Sequence, residues 1–330
     1  MTTVLETHDL LIGYEKSLMP AINVQLEQGD VVALAGPNGA GKSTLFKTIT
    51  GHIPPISGNI KLFGKDLNSY DSKQRASLYS IVLTERPDDM FITVFDIVAS
   101  GRYPHMGLLA KLSLHDKKII TESLEQTSTS HLINRTFVSL SDGERQKVMI
   151  AKALAQDTPL IYMDEPAAFL DYPSKVELMT LMLRLAQEHK KTILFSSHDL
   201  DMLLHNADKL WIVAPNKQLI TGVPEDLVVG DYIEHYFSRK DICFNKETAR
   251  FEIATTPKLT AIHVTFADNN QHLWLKHAII RKGYKITDTN DDTFSFHISD
   301  NRIILSYNDK IINTFDNIAE AIGYLTQNIP

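Results

Sequence analysis

A single cysteine, Cys243, stands in the 330 residues. That excludes an internal disulfide framework and any multi-cysteine metal site, and it fits a reducing compartment. No apolar run reaches the ~20 residues that a membrane-spanning helix needs. The opening stretch MTTVLETHDL has no basic-then-apolar signal region. If the chain works at a membrane, the expectation is that a partner carries it there. Basic charge is also in deficit: 33 Lys+Arg against 40 Asp+Glu, for a formal net charge of −7. With no basic tail, this argues against a general affinity for nucleic acid. No internal repeat and no low-complexity segment occurs.

The 330 residues suffice for one large domain plus a smaller one, each with a core of its own. VVALAG, residues 31–36, is a short apolar run that feeds a glycine-rich loop, and KSTLFKTITG after it reads as a helix stopped by Gly51. PLIYMD and TILFSSH look like buried parallel strands, each following a helical stretch and ending in polar residues. Ligands of open α/β sheets sit outside the carboxyl ends of the strands. Asp164, Glu165 and His198 are therefore expected to converge on the crevice that holds the glycine loop. Between these strands, Pro87, Pro104 and segments such as KKIITESLEQ predict an inserted, mostly helical subdomain over about 85–155. Beyond about residue 237 the pattern changes. AIHVTF, TFSFHI, RIILSY and KIINTF are β-rich runs around one helical stretch, QHLWLKHAIIRKG. The expected organisation is an α/β nucleotide-binding domain over 1–240 and a small α+β domain over 241–330.

GPNGAGKST, Gly36 to Thr44, matches G-x-x-x-x-G-K-[ST] between a strand and a helix. In such a loop, Gly36, Pro37, Asn38, Gly39, Ala40 and Gly41 turn backbone N–H groups toward phosphates, and the helix N-terminus adds partial positive charge. Lys42 is expected to reach the β- and γ-phosphates, Ser43 to offer its hydroxyl to Mg²⁺, and Thr44 to assist at the α- or β-phosphate. LIYMDEP sets two carboxylates after a buried strand. Asp164 is a candidate for the Mg²⁺ shell, and Glu165 a candidate to orient or deprotonate an attacking water. A pair of acids there can also be plain helix capping, a poorer reading in a chain that carries a phosphate loop. In LSDGERQ, Ser141 followed by Glu144 is a capping box for the helix through RQKVMIAKALAQ. Taken alone it is a well-made helix start, but a serine, a glycine and free N–H groups there also form an anion site.

Together these residues resemble the ATP-binding cassette (ABC) family, over about residues 4–235. The motifs stand in the family's order: Tyr14 where an aromatic stacks on adenine, the phosphate loop at 36–44, the signature at 140–144, LIYMDEP, FLD at 169–171, and His198. The resemblance implies a P-loop fold with a RecA-like core plus helical subdomain, ATP hydrolysis, and Mg²⁺ as cofactor. It implies two cassettes paired head to tail, with Ser141, Gly143 and Glu144 of one closing on the ATP held by the other. Asp171 would link the two sites. His198 matches the family's switch histidine, which contacts the γ-phosphate, although a lone histidine near a strand end is often just a satisfied polar residue.

Two positions depart from the family pattern. Asp142 stands where the commoner signature has glycine, so its side chain is expected to point away from the phosphate. The family's glutamine, which reaches toward Mg²⁺ and the attacking water, falls on Thr84, with Glu85 beside it as a candidate substitute. ASGRYPHMG at 99–107 and LSDGERQKVMIAKALAQDTPLIYMDEPAAFLD look like the importer ATPases for iron-siderophore, haem and cobalamin. That subgroup implies a homodimer beneath integral-membrane permease subunits at the cytoplasmic face of the cell membrane, fed indirectly by a substrate-binding protein. Residues 84–107 would form the groove for the permease's coupling helix, with Arg102, Tyr103 and Pro104 near it. The competing reading is a soluble ABC-type ATPase acting as an ATP-gated clamp in translation, repair or cluster assembly. Such proteins often carry two cassettes, a coiled coil or a basic surface, none of which is visible here. Residues 241–330 hold 9 Lys+Arg and 11 Asp+Glu, which gives nucleic-acid binding no electrostatic support. An interaction or regulatory module and a dimer-stabilising extension both fit that segment.

Overall fold

The structure, a computed structural model, describes residues 2–37, 39–83, 92–107, 111–240, 242–246, 248–253, 260–264, 270–287, 294–299, 302–308 and 310–329. Asn38, Thr84, Glu85 and Pro87 lie outside the described residues. The chain divides into two compact units, one comprising 1–237 with 246–250 and the other 238–245 with 251–330.

The larger unit carries ten strands among its described residues: β1 (Thr3–Leu11), β2 (Gln25–Glu27), β3 (Val31–Ala35), β4 (Ser57–Leu62), β5 (Lys65–Asp66), β6 (Tyr79–Val82), β7 (Leu160–Met163), β8 (Thr192–Ser196), β9 (Lys209–Val213) and β10 (Leu219–Gly222). Its helices are α1 (Lys42–Ile49), α2 (Ser72–Leu78), α3 (Val94–Ser100), α4 (Leu114–Gln126), α5 (Asp142–Ala155), α6 (Tyr172–His189), α7 (Leu200–Asn206), α8 (Pro224–Val229) and α9 (Tyr232–Phe237). One sheet has the order β10-β9-β3-β8-β7-β6, and a second, antiparallel sheet has the order β2-β1-β4-β5. In the first sheet every neighbouring pair from β9 to β6 is parallel, and only the β9–β10 edge is antiparallel. Helices and a second sheet cover such strands on both faces. Every residue of β3, β7 and β8 is accordingly buried, which is why they read as unbroken apolar runs rather than alternating ones.

That topology sets the site. β7, β8 and β3 are adjacent and run the same way, so their carboxyl ends emerge side by side. The core below them is clamped to α1 by aromatics. Tyr162 of β7 meets the rings of Phe46 and Tyr79 edge-on, at centroid distances of 5.6 and 5.3 Å. Each such pair contributes about 0.5–1.5 kcal/mol beyond its buried area, and the Phe46 pair anchors the helix that carries the phosphate loop.

Helices α3, α4 and α5 pack around a core of their own that includes Val94, Ile97, Val98, Ile120, Leu124, Phe137, Val148 and Ala151. Each begins with a capping box: Thr93 with Asp96, Ser113 with Asp116, and Ser141 with Glu144.

The smaller unit contains β11 (Ile242–Asn245), β12 (Arg250–Ile253) from its second residue on, β13 (Ala261–Val264), α10 (Asn270–Arg281), β14 (Lys285–Thr287), β15 (Phe294–Ser299), β16 (Arg302–Tyr307), β17 (Lys310–Phe315) and α11 (Ile318–Asn328). Its five-stranded sheet has the order β14-β13-β15-β16-β17. β13 is parallel to β14 and β15, and β15-β16-β17 form an antiparallel meander. Ile262, Val264, Phe296, Ile303 and Leu305 of the sheet pack with Leu275 and Ile279 of α10 and Ala321, Ile322 and Leu325 of α11. The sequence pattern predicts one helix here, and the structure has two. The second, α11, follows directly on the β-rich run KIINTF; Asn317 caps it by accepting the Glu320 N–H, and Ala321, Ile322 and Leu325 fall at helical spacing on its buried side.

Candidate phosphate and hydrolysis site

The loop after β3 takes its shape from glycine. Gly36 has φ +146°, and a Cβ there would lie 2.6 Å from the carbonyl oxygen of Val213 on β9, so only glycine lets the chain turn this close to the neighbouring strand. Gly41, at φ +107°, is the N-cap of α1, which starts at Lys42 and directs its first free N–H groups into the loop. The Lys42 side chain folds back over that loop, its Nζ donating to the carbonyls of Gly36 (2.7 Å) and Pro37 (3.1 Å). Burial lowers the Lys42 pKa, opposed by the attraction of Glu165 and Asp164. Ser43 and Thr44 occupy the first turn of α1.

β7 delivers the carboxylates. The Asp164 N–H donates to the Val82 carbonyl, extending the β6–β7 pairing by one residue. At Glu165 the chain turns sharply, with φ +45°, a left-handed conformation that non-glycine residues adopt uncommonly. β8 delivers the other wall. Its register pairs Met163 with Phe195 and Leu34 with Ser196, so Ser196 ends its strand between the phosphate loop and the two acids. Ser196 Oγ donates to Asp164 Oδ1 at 2.6 Å and accepts the Glu165 N–H at 2.8 Å. Two residues on, His198 is largely exposed, with Nδ1 3.7 Å from Glu165 Oε2. Thus Lys42, Asp164, Glu165 and His198, drawn from three strand ends, share one crevice. Ser196 belongs with them although no motif includes it; the doubled serine in TILFSSH is its sole sequence signal.

A second cluster forms at the starts of α5 and α6. Ser141 Oγ accepts the Glu144 N–H at 3.3 Å, and Glu144 Oε2 accepts the Ser141 N–H at 2.8 Å and its hydroxyl at 2.9 Å. The backbone N–H of Ser141, followed by its hydroxyl, lowers the Glu144 pKa, and Arg135 lies 3.9 Å away. Glu144 is therefore engaged in building the helix start. Gly143 abuts α6: a Cβ on it would come 3.1 Å from Ser174 Oγ. Asp171 caps α6 by accepting the Ser174 N–H at 3.0 Å, and that contact, from side chain and backbone of Ser174, lowers its pKa. Lys175, one turn into α6, pairs at 2.8 Å with Asp199, the residue after His198. Burial pushes the Asp199 pKa up, and Lys175, the Met202 N–H and His198 together outweigh that to hold it low. The ion pair ties the second cluster to the first. Tyr14, 71% exposed, presents its ring to solvent beyond β1.

In GRYPH the structure separates residues that the sequence groups together. Tyr103 is 65% exposed, but Arg102 is only 3% exposed. Its Nε donates to Asp116 Oδ1 at 2.9 Å and its Nη1 to the Ala155 carbonyl at 2.8 Å. The hydroxyl and N–H of Ser113, together with Arg102, hold Asp116 down at about 2. Arg102 is a framework residue that joins the turn to α4 and α5, and Tyr103 is the part of the turn that faces outward.

The description of the matching family model is ABC transporter, and it covers residues 19–168. An ABC transporter ATP-binding protein of Methanocaldococcus jannaschii, itself uncharacterized, is 37% identical over 77% of this chain and 88% of its own length. The iron(3+)-hydroxamate import ATP-binding protein FhuC of Bacillus subtilis is 36% identical over 71% of this chain and 87% of its own. Among solved structures, cbiO1 from Clostridium perfringens, part of the ABC transporter complex cbiONQ, superimposes with a TM-score of 0.63 at 27% identity, covering 71% of this chain and 94% of that one.

Proposed function

This chain belongs to the ATP-binding cassette family of ABC transporters and is an ATP-binding, ATP-hydrolysing protein, and on that premise we propose that two copies pair head to tail to drive an importer for an iron-siderophore, haem or cobalamin-type substrate. The import function named for the Bacillus subtilis relative supports the direction and the iron-chelate class. The partners would be integral-membrane permease subunits at the cytoplasmic face, with a substrate-binding protein acting through them. No helix among the described residues is long and apolar enough to cross a membrane.

The observation that carries this reading is the convergence of Lys42, Asp164, Glu165 and His198 at the ends of β3, β7 and β8. In the proposed cycle, Tyr14 stacks on adenine, while the N–H groups of the phosphate loop and Lys42 hold the β- and γ-phosphates. The Ser43 hydroxyl and the Asp164 carboxylate are hard oxygen donors beside the phosphate loop, a donor set that fits Mg²⁺; Thr84 would be the third contributor. Bound Mg²⁺ would offset charge on the phosphate oxygens. Glu165 accepts a proton from the attacking water, and His198 contacts the γ-phosphate. Ser141 and Gly143, at the helix start of the partner copy, close over that phosphate, and Asp171 carries the link between the two sites.

Glu165→Gln tests the core of the reading. The expected outcome is an ATP-bound dimer, seen by size-exclusion chromatography with light scattering, with turnover almost abolished. Full ATPase activity in that variant would remove Glu165 as the base. Uptake in a deletion strain offered ferric hydroxamate, haem and cobalamin separately tests the substrate class, and normal uptake of all three would sink it.

A further inference from the structure

We infer that Ser196 is a positioning residue of the hydrolytic site, fixing the Asp164 carboxylate and the Glu165 peptide together through one buried hydroxyl. The inference rests on the proposed roles of Asp164 and Glu165, and its closing experiment separates the two.

The hydroxyl lies 2.6 Å from Asp164 Oδ1 and 2.8 Å from the Glu165 nitrogen. The proton count leaves one arrangement. A peptide N–H can only donate and an ionised carboxylate can only accept, so the hydroxyl must give its single proton to Asp164 and a lone pair to Glu165. The 2.6 Å separation is in the range of charge-assisted O–H···O⁻ bonds. Ser196 is buried, and its two partners, Asp164 and Glu165, are half-buried, so the hydroxyl meets them at the edge of the core.

The second observation is the backbone of Glu165. A glutamate at φ +45° persists where its surroundings hold it. Ser196 grips the N–H of this residue, and its carbonyl accepts the Ala168 N–H at 3.0 Å. The two bonds lie on either side of the left-handed residue, so they set the direction in which its side chain leaves the strand end. The strand register explains why Ser196 can reach. β7 and β8 are parallel and aligned from Leu160/Thr192 through Met163/Phe195, and one further step brings Asp164 beside Ser196. Neighbouring serines show what an ordinary structural hydroxyl does here. Ser197 Oγ accepts the Asp199 N–H within its own turn, whereas both partners of Ser196 are the acids across the strand gap.

The test compares Ser196→Ala, Ser196→Thr and Glu165→Gln in the full-length chain. Three quantities are followed: Mn²⁺ affinity in the presence of AMP-PNP by electron paramagnetic resonance, nucleotide affinity in EDTA, and steady-state ATPase. For Ser196→Ala the expected result is Mn²⁺ affinity weakened about tenfold and kcat lowered about 10- to 100-fold, with metal-free nucleotide affinity within about twofold of wild type. Ser196→Thr, which keeps the hydroxyl, is expected to recover most of both losses. A Ser196→Ala protein that melts earlier but binds Mn²⁺ and turns over like wild type overturns the inference, because packing alone would give that result. If Ser196→Ala does not fold, Ser196→Cys takes its place with the same expected direction, and wild-type Mn²⁺ affinity and kcat in Ser196→Cys overturn the inference equally. Glu165→Gln separates the layers. If it turns over normally, the reading of Glu165 as base fails; if it is inactive while Ser196→Ala is normal, the role of Ser196 alone fails.

Discussion

The six-stranded sheet of the larger unit has wholly buried central strands and the five-stranded sheet of the smaller one has half-buried strands, and the two dispose of polar groups differently. In the first, β3, β8 and β7 are parallel neighbours, so whatever follows each strand is delivered to one edge. Gly36 to Lys42, Ser196 to His198, and Asp164 with Glu165 come together for that reason alone. In the second, β15, β16 and β17 alternate in direction, and successive strand ends open on opposite edges. Its buried polar pair, Ser295 and Ser306, is a cross-strand hydrogen bond of 2.7 Å within the sheet, whereas Ser196, equally buried, bridges a carboxylate and a left-handed peptide. Parallel connection concentrates chemistry, and a meander spreads it out.

The contrast breaks most visibly at Glu165. Glu165→Gln is expected to lower kcat by about 10²- to 10⁴-fold while leaving the thermal midpoint within a degree or two of wild type, as a phosphate-release assay and a calorimetric scan will check. A fall in stability of comparable size would mean that the strand end serves folding rather than chemistry.

Phe296→Ala makes the reverse case in the second sheet. Removing this fully buried ring is expected to cost about 3–5 kcal/mol, read as a lowered melting transition, with ATPase activity retained. Loss of ATPase in the folded larger unit would show that the smaller unit serves the catalytic cycle. Arg102→Met asks whether a charged residue inside a motif is framework. Leaving Asp116 buried and unpaired is expected to cost about 3–5 kcal/mol in urea denaturation, with nucleotide affinity little changed.

The smallest effect concerns pH. The folded-state pKa of Asp116 is about 2, below the ordinary carboxylate value of 3.8. A depressed carboxyl stabilises the fold above its unfolded pKa, and that stabilisation disappears as pH falls through the folded one. The stability gap between wild type and Asp116→Asn is therefore expected to be constant above about pH 5 and to shrink between about pH 4 and pH 2. A gap that persists at pH 2 would contradict the ionised Asp116, held by the Ser113 hydroxyl and N–H and by Arg102, as its source.

Much of this was legible in the sequence because it is local. The apolar runs at 31–35, 160–163 and 192–196 name buried strands, and Ser141 with Glu144 announces a capped helix. The phosphate loop declares itself through glycines whose positive φ angles no other residue would take without strain. Elements next to β-rich runs were harder to read. The helix Ile318–Asn328 shows its buried face over three residues and was lost among the strands around it. The sequence groups Arg102 with Tyr103 and Pro104 near the expected permease groove, but arginine is buried where it is paired, and its partner, Asp116, comes from the next helix.

The residues alone therefore establish a phosphate loop, two acids, a capped signature helix and a histidine, since each motif is closed within a few neighbours along the chain. Folding settles how they are held. Ser196 stands 32 positions from Asp164, and a strand register brings the two side by side. The Glu165 peptide is left-handed although nothing in its residue type asks for it, and a buried hydroxyl grips its N–H. Hydrogen bonds between strands and the exclusion of water act between residues distant in sequence, so no pattern of spacing along the chain records them.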